Sequence, residues 1–238
     1  MLVQANCISW LNRLRSGTVG MVLCDLPYGK TRNTWDARLP LDRLWSHWKR
    51  VCKPNAAIVL FGQGTFSFLL AASNPDWYRY TLIWEKDRPS GFLNAKRMPL
   101  RSHEDILIFY RKQPVYNPQM VDGSPSHGRG SMHGNIASKN YGKYKEQDNT
   151  KGETRKYPRS VLRFARPHPP IHPTEKPVAL CEWLIRTFTD PSELVLDNCC
   201  GSGTTLVAAA RTGRRFIGID TDPEWVKVSR KRLEDTKP

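Results

Sequence analysis

Asp25, Leu26, Pro27 and Tyr28 follow directly on the apolar run Val19–Cys24 in "VGMVLCDLPYG". A carboxylate that accepts hydrogen bonds, a proline that stiffens a turn and a flat ring that can stack therefore meet where a buried strand should end. Packing gives no reason for that combination. A second constellation is "LVLDNCCGSGTT", in which Asp197 closes a short strand, Cys199 follows, and Gly201 and Gly203 lead into a helix that begins at Thr204. Glycines there let a ligand approach the backbone, and a helix N-terminus favours a negative group. The spacing is not G-x-G-x-x-G and lacks the lysine of a phosphate-binding loop. Asp220 ends the next strand, roughly 20 residues on, where an acid commonly accepts ribose hydroxyls. Together these features indicate a nucleoside-containing ligand; the alternative is structural glycines and a capping acid. A third stretch, "HPPIHPTEKP", is a proline-stiffened loop in which His172, Thr174 and Lys176 precede a helix. Thr174 and Lys176 there could hold a carboxylate, although a merely rigid connecting loop explains the stretch as well.

The elements that must carry these residues alternate. Val19–Cys24 and 56–62 are continuous apolar runs of the kind buried in parallel sheets. Leu41, Leu44, Trp45, Trp48 and Val51 recur at helical spacing, with Pro54-Asn55 as the breaker. Residues 65–72 read as helix, and 78–86 and 104–111 as strands. Pro177 opens a helix with Leu180, Leu184, Ile185 and Phe188 on one face. Strands at 193–197 and 214–220 flank the glycine turn and its helix, and Asp222-Pro223 is a cap-and-first-turn signal for the last helix. The pattern predicts an α/β fold: a doubly wound, mostly parallel sheet.

Composition breaks this pattern once. Residues 113–160 hold six glycines, eight Lys/Arg and four Asp/Glu, with few aliphatic side chains. Either a linker or a surface that orders on nucleic acid fits, and Tyr141, Tyr144 and Tyr157 among the cations favour the second. We therefore expect one catalytic domain, 1–112 plus 161–238, interrupted by a flexible basic insertion at 113–160. Over the whole chain 37 Lys+Arg oppose 22 Asp+Glu, a formal charge of +15, which is the footprint of a polyanion partner. No apolar stretch approaches the roughly 18 residues that span a bilayer, and the first residues lack a signal-peptide plan, so a cytoplasmic protein without membrane contact is expected. The six cysteines form no C-x-x-C pair and read as reduced thiols rather than zinc ligands or disulfides.

"DLPYG", then "HPTEKP", then "DNCCGSGTT" and "FIGID" resemble, in that order, the beta class of DNA amino-methyltransferases acting on adenine N6 or cytosine N4. The likeness spans nearly the whole chain apart from 113–160. Leu26 replaces a more frequent proline, and Cys199 stands where an aromatic normally lies near the cofactor. The resemblance implies a Rossmann-like methyltransferase fold, S-adenosylmethionine as cofactor and double-stranded DNA as partner. It implies that Asp25 and the Leu26 carbonyl accept the N–H bonds of a target amine, that Pro27 aims the carbonyl, and that Tyr28 stacks on a flipped base. It places Asp25, His172, Thr174, Lys176, Asp197, Cys199, Gly201, Gly203, Thr204 and Asp220 around the cofactor. Trp35-Asp36 would help close the catalytic loop. Arg88, Lys96, Arg97 and Arg101, with Arg129, Lys139, Lys143, Lys145, Arg155 and Lys156 of the insertion, would contact DNA. Adenine N6 is favoured over cytosine N4; methylation of RNA or of a protein amide, and a non-catalytic binding module, are the competing readings. Methylation of cytosine C5 needs a nucleophilic cysteine, normally in a Pro-Cys pair, and the chain has none. A homodimer and a restriction-endonuclease partner are left open by the sequence.

Overall fold

Val19–Cys24 is buried at all six positions because it lies in the middle of a sheet covered on both faces. The computed structural model describes residues 1–29, 37–126 and 152–236; Trp35, Asp36, Arg129, Lys139, Tyr141, Lys143, Tyr144 and Lys145 lie outside them. In chain order the elements are β1 (Leu2–Gln4), α1 (Cys7–Leu11), β2 (Val19–Cys24), α2 (Leu41–Val51), β3 (Cys52–Gly62), α3 (Thr65–Ser73), β4 (Tyr78–Ser90), β5 (Arg101–Phe109), β6 (Val121–Asp122), β7 (Arg155–Lys156), β8 (Val161–Phe164), α4 (Val178–Phe188), β9 (Leu194–Asp197), α5 (Thr204–Arg211), β10 (Arg215–Asp220) and α6 (Pro223–Glu234). The chain divides into two compact units, Met1–Asn117 with Ser160–Pro238, and Pro118–Arg159.

The first unit holds an eight-stranded sheet in the order β1-β10-β9-β2-β3-β5-β4-β8. Alternate residues of β2 feed two cores. Val22 and Cys24 join Leu44, Trp48, Phe66 and Leu70 from α2 and α3 on one face. Met21 and Leu23 join Leu180, Leu184, Phe188 and Ala208 from α4 and α5 on the other. Five strand pairs are parallel, as the alternating pattern predicts, but β5 runs antiparallel between β3 and β4. The connection between β4 and β5 is a hairpin rather than a crossover helix, so no periodic signal announced the reversal. Two more departures are local. The helix α2 stops at Val51, and Pro54 falls inside β3 where the pairing with β2 shifts register, a place that tolerates a missing N–H. β1, α1 and β8, each five residues or shorter, are elements that the sequence pattern did not announce.

The second unit, in its described part, is built on the antiparallel pair β6–β7, extended by bonds from Gly123 N to Thr154 O and Ser126 N to Glu153 O. Among the described residues, no helix is long and apolar enough to cross a membrane.

Trp48 is fully buried, and its indole Nε1 donates to the Asn198 side-chain oxygen at 3.1 Å, in the turn that follows β9. Trp48→Ala is expected to cost about 3–5 kcal/mol. Trp48→Phe keeps most of the volume but orphans the buried Asn198 oxygen, and is expected to cost about 1–3 kcal/mol. Urea midpoints check both; a Trp48→Phe variant as stable as the parent would mean the indole N–H contributes nothing.

Candidate active site

Three acids end three neighbouring strands. β10, β9 and β2 are adjacent and parallel, with Gly218 level with Asp197 and Leu196 level with Val22. Asp220, Asp197 and Asp25 therefore share the carboxyl edge, across two strand spacings or roughly 10 Å. The chain leaves β2 toward β3 and leaves β9 toward β10, in opposite directions across the sheet. A crevice at such a switch point is where open α/β sheets bind their ligands.

Asp25 is held by two side chains. Its Oδ2 is paired with the Lys176 ammonium, and its Oδ1 accepts from the Tyr28 hydroxyl at 2.9 Å. Each carboxylate oxygen can accept about two hydrogen bonds, so both keep capacity. Burial pushes the Asp25 carboxyl above its ordinary range, against the opposing pull of Lys176. Lys176 is only 6% exposed and also lies 3.3 Å from Glu104 Oε2. Burial opposes its charge, yet Asp25 and Glu104 outweigh that and raise its pKa. Burial likewise works against the Glu104 carboxylate, but Lys176 and Lys86 hold it below the usual range. Lys86 reaches Glu104 Oε1 and the Ser90 hydroxyl, both at 3.3 Å. Asp25, Lys176, Glu104 and Lys86 thus form a row of alternating charge, its two lysines buried and its two carboxylates partly buried. The sequence suggested that Lys176 could hold a carboxylate; it grips two, and both belong to the protein.

Tyr28 lies against Phe66 of α3, ring centroids 4.7 Å apart and nearly parallel. Arg38 Nε donates to the Tyr28 carbonyl at 3.0 Å and fixes the turn that follows Pro27. Leu26 is buried in the first core and anchors the motif from below.

The glycine corner is braced from three sides. Gly201 N donates to Asp220 Oδ2 at 2.7 Å. Ser229 of α6 donates to Gly201 O at 2.7 Å. Arg232 donates to Ser202 O at 2.8 Å and to Thr204 Oγ1 at 3.3 Å, while pairing with Glu175 at 2.8 Å. Glu175 Oε1 in turn accepts from Thr204 Oγ1 at 3.4 Å. Consecutive residues of the proline loop therefore reach the two halves of the edge, Glu175 the glycine corner and Lys176 the catalytic-type acid. His172 Nδ1 bonds Thr174 N at 3.2 Å and its ring meets Trp225 edge-on at 4.3 Å; burial holds its pKa down.

Not every residue singled out from the sequence faces outward. Asp197 is buried, accepts from Cys199 N at 3.1 Å, and is pushed up to about 6 by desolvation. Cys199 turns toward the first core beside Asn198. The two glycines differ: a side chain at Gly203 (φ 80°) would meet Ser229 Oγ at 2.7 Å, whereas Gly201 (φ 47°) has open space beside it. Arg88, Lys96, Arg97 and Arg101 are exposed in and beside the β4–β5 connection. In the second unit Arg155 is exposed, while Lys156 spends its ammonium on Ser126 and the Glu153 carbonyl. Glu104, Lys86, Glu175, Arg232, Ser229 and Trp225 were missed. Only Glu175, inside "HPTEKP", had a local signal; the others lie in ordinary strand and helix patterns.

Against this geometry stand the comparisons. A family model for N6/N4 methyltransferases, described as DNA methylase, matches residues 19–231, and the chain belongs to this family. It is 28% identical over 259 residues to the type II methyltransferase M2.DpnII of Streptococcus pneumoniae, covering 98% of this chain and 89% of that one. The fold matches the M1.HpyAVI–SAM complex at TM-score 0.65 and 21% identity, over 98% of this chain and 99% of the other. It also matches the cytosine-N4-specific PvuII DNA methyltransferase at TM-score 0.68 and 15% identity, over 98% and 85%.

Lys176→Met takes the cation from the partly buried Asp25 carboxylate and leaves Glu104 with Lys86 alone, and is expected to cost about 3–5 kcal/mol. Adding Asp25→Asn, which removes the carboxylate left without a cation, should recover a large part, measured by denaturant melts; a double variant no more stable than the single would deny the coupling. Gly203→Ala should destabilise by about 1–3 kcal/mol and exceed Gly201→Ala, which meets only the backbone penalty; the reverse ranking would contradict the packing of α6 on the corner.

Proposed function

We propose that the protein is a site-specific DNA methyltransferase that methylates the exocyclic N6 amine of adenine in duplex DNA, with S-adenosylmethionine as methyl donor. Family membership supports methyl transfer to DNA, and the acid-first motif Asp25-Leu26-Pro27-Tyr28 favours adenine over cytosine N4, the alternative. The observation that carries the reading is the pairing of Asp25 and the glycine corner on one sheet edge, each tied to the same loop through Lys176 and Glu175.

The corner suits the donor. Gly201 leaves its backbone open to approach, Asp220 presents a carboxylate for ribose hydroxyls, and Thr204 begins a helix whose N-terminus faces the edge. His172, Thr174 and Trp225 flank it from the loop and α6. Asp197, Cys199 and Gly203 serve by holding the turn. Bound there, the cofactor supplies an electrophilic methyl on a cationic sulfur.

An exocyclic amine is a poor nucleophile because its lone pair is delocalised into the ring. Asp25 and the Leu26 carbonyl accept its N–H bonds, draw the nitrogen toward tetrahedral geometry and stabilise the positive charge that develops on it. Reaching those acceptors requires the base to leave the duplex. Tyr28 offers it the ring face turned away from Phe66, and Asp25 Oδ1, which accepts from the tyrosine hydroxyl, keeps room for the amine. Positioning and electrostatics suffice, without a covalent enzyme intermediate. Arg88, Lys96, Arg97, Arg101 and Arg155 supply phosphate contacts, which position the duplex rather than read it.

DNA methylated by the protein and digested to nucleosides should contain N6-methyladenine by mass spectrometry. N4-methylcytosine alone would overturn the adenine assignment, and no methylated base would overturn the reading. Asp25→Ala should keep duplex binding and lose turnover by a factor on the order of 10²–10³; undiminished turnover removes Asp25 from the chemistry.

The reaction needs the Asp25 carboxylate ionised, and burial raises its pKa. Single-turnover rates should therefore fall on acidification starting above the ordinary carboxylate value of about 4. A rate flat down to that pH would contradict it.

A further inference from the structure

The β4–β5 hairpin carries an exposed apolar tip whose purpose the chemistry above leaves unexplained. Phe92 is 80% exposed, Leu93 99% and Met98 50%. Phe92 and Leu93 bury little within the fold, so they add little to its stability. The tip is nevertheless ordered internally: Asn94 N bonds Gly91 O at 2.9 Å, Ala95 N bonds Phe92 O at 2.9 Å, and Arg97 N bonds Asn94 O at 2.8 Å. From Arg88 to Arg101 the chain has four cations and no acid. β4 runs parallel to β3, so it ends, and β5 begins, at the carboxyl edge that holds Asp25. The base of the hairpin is wired to that acid through Ser90, Lys86, Glu104 and Lys176.

An apolar point inside a basic collar suits a duplex better than a second copy of a chain that carries +15. Resting on the DNA methyltransferase reading, we propose that Phe92 and Leu93 form a wedge that enters the base stack beside the target and holds open the space the extruded base leaves. Lys96, Arg97 and Arg101 meet the flanking phosphates. Apolar side chains inserted at a base step offset the unstacking that extrusion costs. The preformed turn means the wedge is not ordered at the expense of binding.

The test is Phe92→Ala/Leu93→Ala, whose exposed positions leave the melting temperature unchanged. The site is first located by sequencing methylated DNA. Two duplexes then carry it, one with the target base paired and one with an abasic position opposite it. The single-turnover rate of the variant should drop about tenfold or more on the paired duplex and stay within about twofold of the parent on the abasic one, because extrusion there needs little help. Equal rates of variant and parent on the paired duplex, an equal loss on both duplexes, or a change of molecular mass in solution (pointing to a second copy as the occupant) would overturn the wedge. A parent that leaves no methylated site to sequence would refute the methyl-transfer reading. The wedge is then judged by 2-aminopurine placed along a bound duplex: emission that rises with the parent and not with the variant supports it, and identical emission overturns it.

Discussion

The Lys176 ammonium, shut between the carboxylates of Asp25 and Glu104, is the interaction on which the candidate site depends. Taking an ion out of water costs several kcal/mol, and only close, alternating partners offset that. The row Asp25, Lys176, Glu104, Lys86 alternates and sums to zero. Its cost is met by a gain in definition: the catalytic-type acid stands at one place and in one ionisation state, without a ligand to hold it. Removing Lys176 leaves Asp25 without its cation, and removing Glu104 leaves the buried Lys86 without its acid, so the two inner members hold the row together.

The row also joins parts of the chain that the sheet alone would leave separate. Lys176 belongs to the loop before α4, Glu104 to β5 and Lys86 to β4, while Asp25 follows β2. Beside Lys176, Glu175 reaches the glycine corner and Arg232 of α6. One short loop thereby sets the spacing between the acid that would draw in a target amine and the corner that would hold the methyl donor. The opposed crossovers on either side of β2 and β9 open the crevice between them.

Much of this was legible in the sequence where the signal is local. Six buried residues in a row mark β2, apolar residues at helical spacing mark α2 and α4, and Asp222 caps α6 by accepting from Glu224 N at 2.8 Å, as its Asp-Pro pair indicated. The acids and glycines at strand ends were legible for the same reason. What the sequence hid depends on distance along the chain. Asp25 and Lys176 are 151 residues apart, Thr204 and Glu175 are 29 apart, and neither pairing follows from any spacing rule. Glu104 looks like the polar start of a strand until the antiparallel β5 brings it beside Lys176. Gly203 reads in the sequence as a ligand contact, and nothing there announces that α6 places Ser229 against it.

The most direct test reads the charge on Asp25 itself. Carboxyl carbon resonances of the folded protein, with Asp25 identified by its loss in Asp25→Asn, would give its titration in the parent and in Lys176→Met/Glu104→Gln. Because Lys176 pulls the carboxyl down more strongly than Glu104 pushes it up, deleting both should move the Asp25 pKa upward from a value already above the ordinary carboxylate range. An Asp25 that titrates as an exposed acid in the parent would contradict its burial, and a pKa that falls or stands still in the double variant would contradict the role given to Lys176.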